Sequence, residues 1–372
     1  MKLDDIRQIL ALTQIEGIGS VLARKLLQHF HSPEEIFKAS PQRLMQVDGI
    51  GKMVCQHIKN AQLAFAKAEL ELKYIQKHAI SCIPITDAAY PAYLKQCPDA
   101  PVLLFSSGNT VWHNRRVISI VGTRKVTPYG VDFCRKLLDA LKPYNPIIVS
   151  GFAYGVDITA HAYALDIGLT TVGVWAHGFE HIYPKEHRKF VGRMEQNGGF
   201  LTEFWHNAYP DKENFVRRNR IVAGISEATI VIESADSGGS LITAKLANDY
   251  SREVFALPGR ISDKYSQGCN HLIKTNQASL LTSADDIVYM LNWDRAKKRA
   301  QAQPLAMQLG LFDCLTDEEQ KIITYLQQNT RSEIDWIALG CEMPVFLVNS
   351  LLLQLELKGL VRMYQGKICE LV

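Results

Sequence analysis

The stretch that decides the fold is residues 228–244, which read ATIVIESADSGGSLITA. It begins with a run of apolar and β-branched residues, which is typical of a strand buried on both faces. A Gly/Ser loop follows at residues 234–240, and a helical pattern then begins. A strand, a glycine-rich loop and a helix in this order predict free backbone N–H groups at the helix start, where they attract an anion.

Other segments show the same pattern of an apolar run followed by a loop and a helix. Short apolar runs occur at residues 117–121, 146–150, 170–175 and 253–257, and most of them end in Gly, Ser or Pro before a helical pattern. Continuous apolar strands that alternate with helices predict an α/β fold with a parallel sheet covered on both faces. Such sheets bind ligands at the carboxyl ends of their strands, which is where the glycine-rich loops fall.

The loops and nearby cations predict a phosphate-binding surface. Gly122, Thr123 and Arg124 follow one strand, and Ser150-Gly151 ends the next. Arginine suits phosphate because its planar guanidinium forms bidentate hydrogen bonds and keeps its charge. For any single loop, a tight turn with hydroxyl caps is the better explanation of the residues, but the loops together favour anion binding. The cations grouped with them are Arg124, Arg217, Arg218, Arg220 and Lys245.

The sequence predicts no enzyme active site, cofactor or metal. It contains neither G-x-x-x-x-G-K-[ST] nor G-x-G-x-x-G, so neither a P-loop ATPase nor a standard dinucleotide enzyme is supported. Asp157 and His161 stand four apart, but no nucleophile elbow or H-E-x-x-H motif accompanies them. We interpret Asp157 as a helix cap, and the histidines at 161, 177, 181 and 187 as ordinary loop or helix residues.

Composition restricts where a polyanion could bind. The 372 residues hold 41 Lys+Arg and 38 Asp+Glu, a net charge of +3, so a nucleic-acid site must be a local patch. The eight cysteines form no C-x-x-C pair, and we interpret them as reduced core residues. No stretch reaches the roughly 18 apolar residues of a membrane span, and no signal core is evident. A soluble, cytoplasmic protein without a membrane partner is expected.

Four regions follow from pattern and charge. Residues 1–79 read as a helical domain, 80–292 as the Rossmann-like domain, 293–312 as a linker and 313–372 as three helices and a hairpin, the pattern of a winged helix. Residues 311–372 hold five basic and nine acidic side chains, and residues 344–357 contain no Lys or Arg. We therefore expect the winged helix to dock protein or support a dimer rather than read DNA.

The N-terminal region repeats one short pattern. Gly17-Ile18-Gly19 and Gly49-Ile50-Gly51 each follow an apolar-acidic pair and precede an apolar helix. The pattern is typical of helix-hairpin-helix (SAM-like) turns. Two readings remain open: the glycine amides of Gly17, Gly19, Gly49 and Gly51 contact a phosphate backbone, or the turns only pack helices.

In order, these motifs resemble the DNA-processing protein A (DprA/Smf) family over about residues 80–290. The motifs are Val121-Gly122-Thr123-Arg124, Ser150-Gly151-Phe152-Ala153, Gly155-Val156-Asp157, Tyr183-Pro184, Arg218-Asn219-Arg220, Ser237-Gly238, Ser240-Leu241 and Phe255-Ala256-Leu257-Pro258-Gly259. The resemblance implies a bacterial, cytoplasmic, non-enzymatic protein with an extended Rossmann-like domain. Such a protein would form a dimer, bind single-stranded DNA and load the RecA recombinase during natural transformation. The helical N-terminus and the winged helix also fit this layout.

The resemblance also implies a set of DNA-binding residues. They are Gly122, Thr123, Arg124, Ser150, Gly151, Lys185, Arg218, Asn219, Arg220, Ser237, Gly238, Ser240 and Leu241. Reasoning from the loops adds Arg217, Gly239 and Lys245. Tyr154 stands where the family often has arginine, and its ring offers a base-stacking surface instead.

Two alternatives remain at this stage. The same loops would cradle a free nucleotide in an enzyme of the lysine-decarboxylase-like phosphoribohydrolase class, although the Pro-Gly-Gly-x-Gly-Thr run of that class is absent. The chain would otherwise be an interaction scaffold.

Overall fold

The computed structural model describes residues 3–294, 315–329, 332–358, 360–364 and 368–371. The chain forms two compact units, residues 1–296 and 297–372. Most of the predicted linker, from residue 295 onward, lies outside the described residues. Its first residue, Trp293, instead belongs to the first unit: the side chain is buried and its Nε1 donates to Glu227.

A nine-stranded sheet organises the first unit and confirms the predicted fold class. The strands are β1 (Ser81–Pro84), β2 (Leu103–Gly108), β3 (Val117–Val121), β4 (Ile147–Ser150), β5 (Thr171–Val174), β6 (Gly198–Thr202), β7 (Ala228–Val231), β8 (Glu253–Ala256) and β9 (Ser279–Leu280). Their order is β1-β2-β6-β5-β4-β3-β7-β8-β9. The seven strands from β6 to β9 are parallel, whereas β1 and β2 pair antiparallel at one edge.

Helices precede the sheet and cover both of its faces. They are α1 (Leu3–Thr13), α2 (Ser20–His29), α3 (Pro33–Lys38), α4 (Pro41–Leu44), α5 (Lys52–Lys59), α6 (Gln62–Lys77), α7 (Ala92–Gln96), α8 (Pro128–Leu141), α9 (Val156–Asp166), α10 (Arg188–Gln196), α11 (Lys212–Gly224), α12 (Gly239–Asp249), α13 (Gln267–Lys274) and α14 (Ala284–Met290). Short 3-10 turns lie at Lys142–Tyr144 and Lys185–His187.

The two sheet faces have separate hydrophobic cores. One core contains Ile118, Ile120 and Ile230 with side chains from α8, α9 and α14. The other contains the alternate strand residues with α11 and α12, and it continues without a break into α1, α2 and α5 of the N-terminal helical region. The helical region and the sheet domain, which the sequence divides at residue 80, therefore share one core.

Polar contacts fix the helical region against the sheet domain. The Arg24 guanidinium of α2 donates to the carbonyl oxygens of Cys97 (2.6 Å) and Lys95 (3.0 Å). The buried Glu71 carboxylate of α6 accepts the backbone N–H of His206 (2.9 Å) and contacts its ring. These contacts and the shared core hold the two parts in one orientation.

The repeated glycine motifs form two turns that pack reciprocally. A Cβ on Gly17 would lie 3.2 Å from Cγ2 of Val54 on α5, and a Cβ on Gly49 would lie 2.7 Å from Cδ2 of Leu22 on α2. Both contacting residues stand three positions after the second glycine of their own motif. Each turn thus packs on the helix that follows the other turn, which supports the packing role of Gly17 and Gly49.

The second unit contains the elements predicted for a winged helix. Its helices are α15 (Asp317–Gln328), α16 (Ile334–Gly340) and α17 (Val345–Leu357), and its strands are β10 (Ser332–Glu333), β11 (Val361–Tyr364) and β12 (Ile368–Leu371). The strands pair antiparallel in the order β10-β12-β11. Thr316 and Glu319 form the predicted capping box at the start of α15.

No single helix among the described residues is both long and apolar enough to cross a membrane. The segments Ile334–Gly340 and Val345–Glu356 pass that test only together, with a bend of 108° between them.

The hairpin packing predicts that Gly49 and Gly51 differ sharply in their tolerance of substitution. Gly49→Ala is expected to lower the free energy of unfolding by about 2 kcal/mol, because φ is +91° and the new methyl group meets Leu22. Gly51→Ala, with φ of −96° and no atom within 4 Å of the added Cβ, is expected to change it by less than about 0.5 kcal/mol. Urea unfolding of both variants gives the comparison. Equal destabilisation would contradict the packing role.

Candidate phosphate-binding site

A cavity of about 380 Å³ lies at the carboxyl ends of β3, β4 and β7. The order in which parallel strands are added to the sheet reverses here, since β4 follows β3 on one side and β7 packs against β3 on the other. In open α/β sheets this switch point leaves a crevice outside the strand ends. The cavity, which we call the switch-point cavity, is lined by Val121, Gly122, Thr123, Arg124, Gly151, Ala153, Asp157, Lys212, Phe215, Val216, Arg218, Asn219, Val222, Ala235, Gly238, Gly239, Ser240, Ile242 and Thr243.

The loop after β3 is held tightly against its neighbours. The Thr123 N–H donates to the Glu233 carbonyl (2.7 Å), and the Thr123 carbonyl accepts the Val156 N–H (3.1 Å). A Cβ on Gly122 would lie 2.5 Å from Cγ2 of Val156, so only glycine fits this close approach. The next residue, Arg124, is exposed, and its guanidinium lies 5.5 Å from the Phe215 ring centroid.

The loop after β4 is stabilised by two buried charged side chains. The Asp157 carboxylate accepts the N–H groups of Gly151 (3.1 Å) and Ala153 (3.2 Å). The Arg218 guanidinium donates to the carbonyls of Gly151 (2.6 Å) and Val174. Burial raises the pKa of Asp157, and the charge of Arg218 opposes that shift. Burial lowers the pKa of Arg218 to about 10, so it remains a cation at neutral pH.

The third wall is the start of α12. Gly238 is the N-cap of this eleven-residue helix, and no side chain caps it. The Ser240 hydroxyl donates to Ser234 Oγ (2.9 Å), so it holds the loop rather than the helix end. The first N–H groups of α12 therefore remain available to an anion, with the helix dipole adding to their attraction.

The charges in the cavity wall favour an anion. Arg124, Lys212 and Arg218 contribute three cations and Asp157 contributes one carboxylate, a formal charge of +2. Among the described residues, no carboxylate lies within ion-pair distance of Arg124 or Lys212. Nη1 of the buried Arg218 is held by two backbone carbonyls, whereas Arg124 and Lys212 are exposed and can move toward a ligand.

The predicted arginine cluster does not converge on the cavity. Residues 217–220 lie in the middle of α11. Neighbouring residues on a helix point about 100° apart, so the three guanidiniums diverge. Arg218 faces the switch-point cavity, Arg217 lies over the Phe204 ring at 5.1 Å, and Arg220 donates to the Asp99 carbonyl and to Glu203 (2.5 Å).

Nine of the predicted site residues line the cavity and seven do not. The nine are Gly122, Thr123, Arg124, Gly151, Arg218, Asn219, Gly238, Gly239 and Ser240. The Ser150 hydroxyl is fully buried and donates to the Ile120 carbonyl (2.6 Å), so it cannot contact a ligand as predicted. Arg220 is committed to its internal partners, and Leu241 packs against the core. Arg217, Lys185, Ser237 and Lys245 are exposed outside the lining.

Sequence reasoning missed Lys212, Phe215 and Ile242. Lys212 is the first residue of α11, and no sequence pattern predicts that this helix begins near the loop after β3. Phe215 and Ile242 give the cavity an apolar surface, and the Phe215 ring also contacts Tyr183 at 5.6 Å. An aromatic residue three positions before an arginine on one helix is the signal that could have found Phe215.

The residues considered for catalysis have structural partners. His161 is buried, its Nδ1 lies 2.6 Å from Thr171 Oγ1, and burial lowers its pKa to about 3. His187 Nδ1 donates to the Phe152 carbonyl (3.0 Å). Asp157 braces the β4 loop, as described above. The Tyr154 hydroxyl donates to Glu186 (2.6 Å), and Tyr154 lies outside the cavity lining.

Family comparisons identify the chain's relatives. Residues 81–292 match the model of DNA recombination-mediator protein A, residues 9–61 match the SAM-like helix-hairpin-helix tandem and residues 298–367 match the DprA winged helix domain. The chain belongs to the DNA recombination-mediator protein A family. Its relatives include Protein Smf of a Synechocystis strain, 31% identical over 96% of each chain, and the DNA processing protein DprA of Bacillus subtilis, 36% identical over 68% of this chain and 86% of the relative.

Solved structures of the family superpose on this chain. The DNA processing protein A of Streptococcus pneumoniae has a TM-score of 0.67 and 30% identity, covering 78% of this chain and 98% of that one. The Helicobacter pylori protein, described for its single-stranded DNA binding mode, has a TM-score of 0.52 and 30% identity, covering 58% and 96%.

The geometry predicts different stability effects at two arginines. Arg220→Ala is expected to lower the free energy of unfolding by about 3 kcal/mol, because it leaves the buried Glu203 carboxylate without its nearest cation. Arg124→Ala is expected to change it by less than about 0.5 kcal/mol, because Arg124 is exposed. Thermal and urea unfolding measure both. A stable Arg220→Ala protein would reassign Arg220 to ligand binding.

Proposed function

We propose that the switch-point cavity binds the phosphate backbone of single-stranded DNA and that the chain acts as a recombination mediator. The observation that carries this proposal is the convergence of two glycine-containing loops, the uncapped start of α12 and the cations Arg124 and Lys212 on one cavity of charge +2. The Phe215 ring beside Arg124 supplies a surface on which a base can stack. The binding mode described for the Helicobacter pylori relative gives independent support.

The finer role follows from family membership. We propose that the chain is a cytoplasmic, non-enzymatic protein that protects incoming single strands and loads RecA onto them in natural transformation. The match to a recombination-mediator family supports a partnership with a recombinase. Loading is tested by strand exchange, in which RecA added to strands already coated by another single-strand-binding protein should gain activity only when this chain is present.

Arg124→Ala is expected to weaken the binding of a fluorescent oligonucleotide about tenfold at low salt, equally for all sequences. It should also lower the slope of log affinity against log salt by about one, since one phosphate contact and its counterion are lost. Fluorescence anisotropy across a salt series measures both quantities.

A matched control is Arg193→Ala, which also removes one exposed arginine. Arg193 pairs with Asp166 (2.8 Å) near the end of α10, which leads into the amino end of β6 and therefore lies at the opposite edge of the sheet. Its removal should leave the slope unchanged. Equal loss in both variants would show that only overall charge matters, and binding that does not depend on oligonucleotide length would favour the nucleotide enzyme instead.

We further propose a homodimer, supported by the family resemblance and by exposed apolar side chains. Leu280 of β9 and Tyr289 and Met290 of α14 are exposed within one eleven-residue stretch at the end of the sheet. In the winged helix, Phe346 and Leu353 of α17 are also exposed, and they lie seven residues apart on one helix face. An acidic domain with such a face fits protein docking better than DNA reading.

Sedimentation velocity over a range of concentrations tests the dimer. The full chain and a chain ending at residue 294 are both expected to dimerise, because the proposed face lies in the first unit. Weaker dimerisation of the shorter chain would assign part of the interface to the winged helix, and a monomer at all concentrations for both would exclude the dimer.

A further inference from the structure

A second cavity, of about 330 Å³, lies where the first helical hairpin meets the sheet domain. We call it the junction cavity. Gly19 and Ser20 at the start of α2 form one wall, and Val102 and Phe105 form an apolar wall beside them. Glu203, Trp205 and Arg217, from the segment between β6 and the middle of α11, complete it.

Glu203 carries an unsatisfied acceptor in this wall. Its side chain is only 6% exposed, and one carboxylate oxygen, Oε2, accepts from Arg220 (2.5 Å) and Arg217 (3.5 Å). The other oxygen, Oε1, is buried without a hydrogen-bond partner among the described residues. A buried carboxylate oxygen without a donor is costly, so this position is suited to a ligand that brings an N–H group.

The start of α2 and Arg217 offer donors for an anion. Gly19 is the N-cap of α2 and makes no side-chain capping bond, so the first N–H groups of this ten-residue helix remain available. The Arg217 guanidinium, held over the Phe204 ring at 5.1 Å, is 58% exposed and lies in the same cavity wall. A phosphate can therefore be held between the start of α2 and Arg217, and a hydrogen-bond donor of the same ligand can be accepted by the neighbouring Glu203.

The two cavities adjoin along α11. Val216 lies in the wall of the switch-point cavity, and the next residue, Arg217, lies in the wall of the junction cavity. Val216 is 49% exposed, so a chain leaving the first cavity can cross it to reach the second.

We propose that the junction cavity is a base-selective subsite for a nucleotide of the bound single strand. The phosphate contacts the α2 amides and Arg217, and a base bearing an exocyclic amino group donates to Glu203 Oε1. Cytosine presents N4–H₂ where thymine presents the O4 acceptor, so a carboxylate selects cytosine over thymine. This inference rests on the proposed single-strand binding and adds a base preference to it.

The test compares fluorescein-labelled dC20 and dT20, two homopolymers of equal charge and ring size, by anisotropy at pH 8 and constant salt. The wild-type chain should bind dC20 about fivefold more tightly than dT20, because cytosine forms one hydrogen bond with Glu203 that thymine cannot form. Glu203→Gln should abolish this preference without weakening dT20 binding, because the amide nitrogen of glutamine donates to O4.

A second pair of variants tests the phosphate end and does not disturb the Glu203 pairs. Ser20→Pro removes one N–H at the first position of α2, where proline fits because Gly19 is extended (φ −88°, ψ 179°). Relative to Ser20→Ala, it should weaken dC20 and dT20 binding two- to threefold alike. The matched control compares Lys52→Pro with Lys52→Ala at the start of α5. Gly51 has the same extended backbone there and lies outside the junction cavity. The two Lys52 variants should bind each homopolymer with equal affinity.

Each outcome bears on one proposal. If the wild-type chain binds neither homopolymer, the proposed function fails. If it binds dC20 and dT20 equally and Glu203→Gln changes nothing, single-strand binding stands and the junction subsite is refuted. If the preference for dC20 survives in Glu203→Gln, or if Ser20→Pro matches Ser20→Ala, the assignment of Glu203 or of the α2 amides is overturned. Circular dichroism and thermal unfolding of every variant confirm that only folded proteins are compared.

Discussion

The Arg218 guanidinium is the contact on which the site depends. Buried at the carboxyl ends of β4 and β5, it donates to the carbonyls of Gly151 and Val174 and faces the Asp157 carboxylate, which in turn holds the Gly151 and Ala153 amides. Removing Arg218 would leave the buried Asp157 carboxylate without the positive charge that opposes the rise of its pKa, which is unfavourable. Through the Gly151 and Val174 carbonyls, Arg218 ties α11 to the strand ends and fixes the cavity wall before any ligand arrives.

Different residues shape the cavity and supply its charge, which explains how a nearly neutral chain can have an anion-binding site. The buried Arg218 shapes the wall, whereas Arg124 and Lys212 supply mobile charge, and the start of α12 supplies backbone N–H groups without any net charge. A net charge of +3 over 372 residues therefore does not exclude a polyanionic partner. A few cations in the wall of one cavity can attract an anion even when the chain as a whole is nearly neutral.

The tandem hairpins gain a second role from their position. The turn glycines Gly17 and Gly49 are used in mutual packing, while the two helix starts differ in what they face. The start of α2 opens on the junction cavity and the start of α5 does not. Because Arg24 and Glu71 hold the helical region to the sheet domain, both cavities belong to one rigid surface bordered by α11.

The sequence by itself determined the α/β architecture, the glycine-rich loops and their place at the carboxyl ends of the strands, because buried strands and tight turns need characteristic residues in the local sequence. Only the tertiary structure decided which cations reach the cavity. Helical geometry points the side chains of Arg217, Arg218 and Arg220 into three different environments, although these residues are close in sequence. Lys212 and Phe215 line the cavity only because α11 packs across the strand ends. Side-chain direction on a helix and contacts between distant segments are set by packing, which no local pattern records.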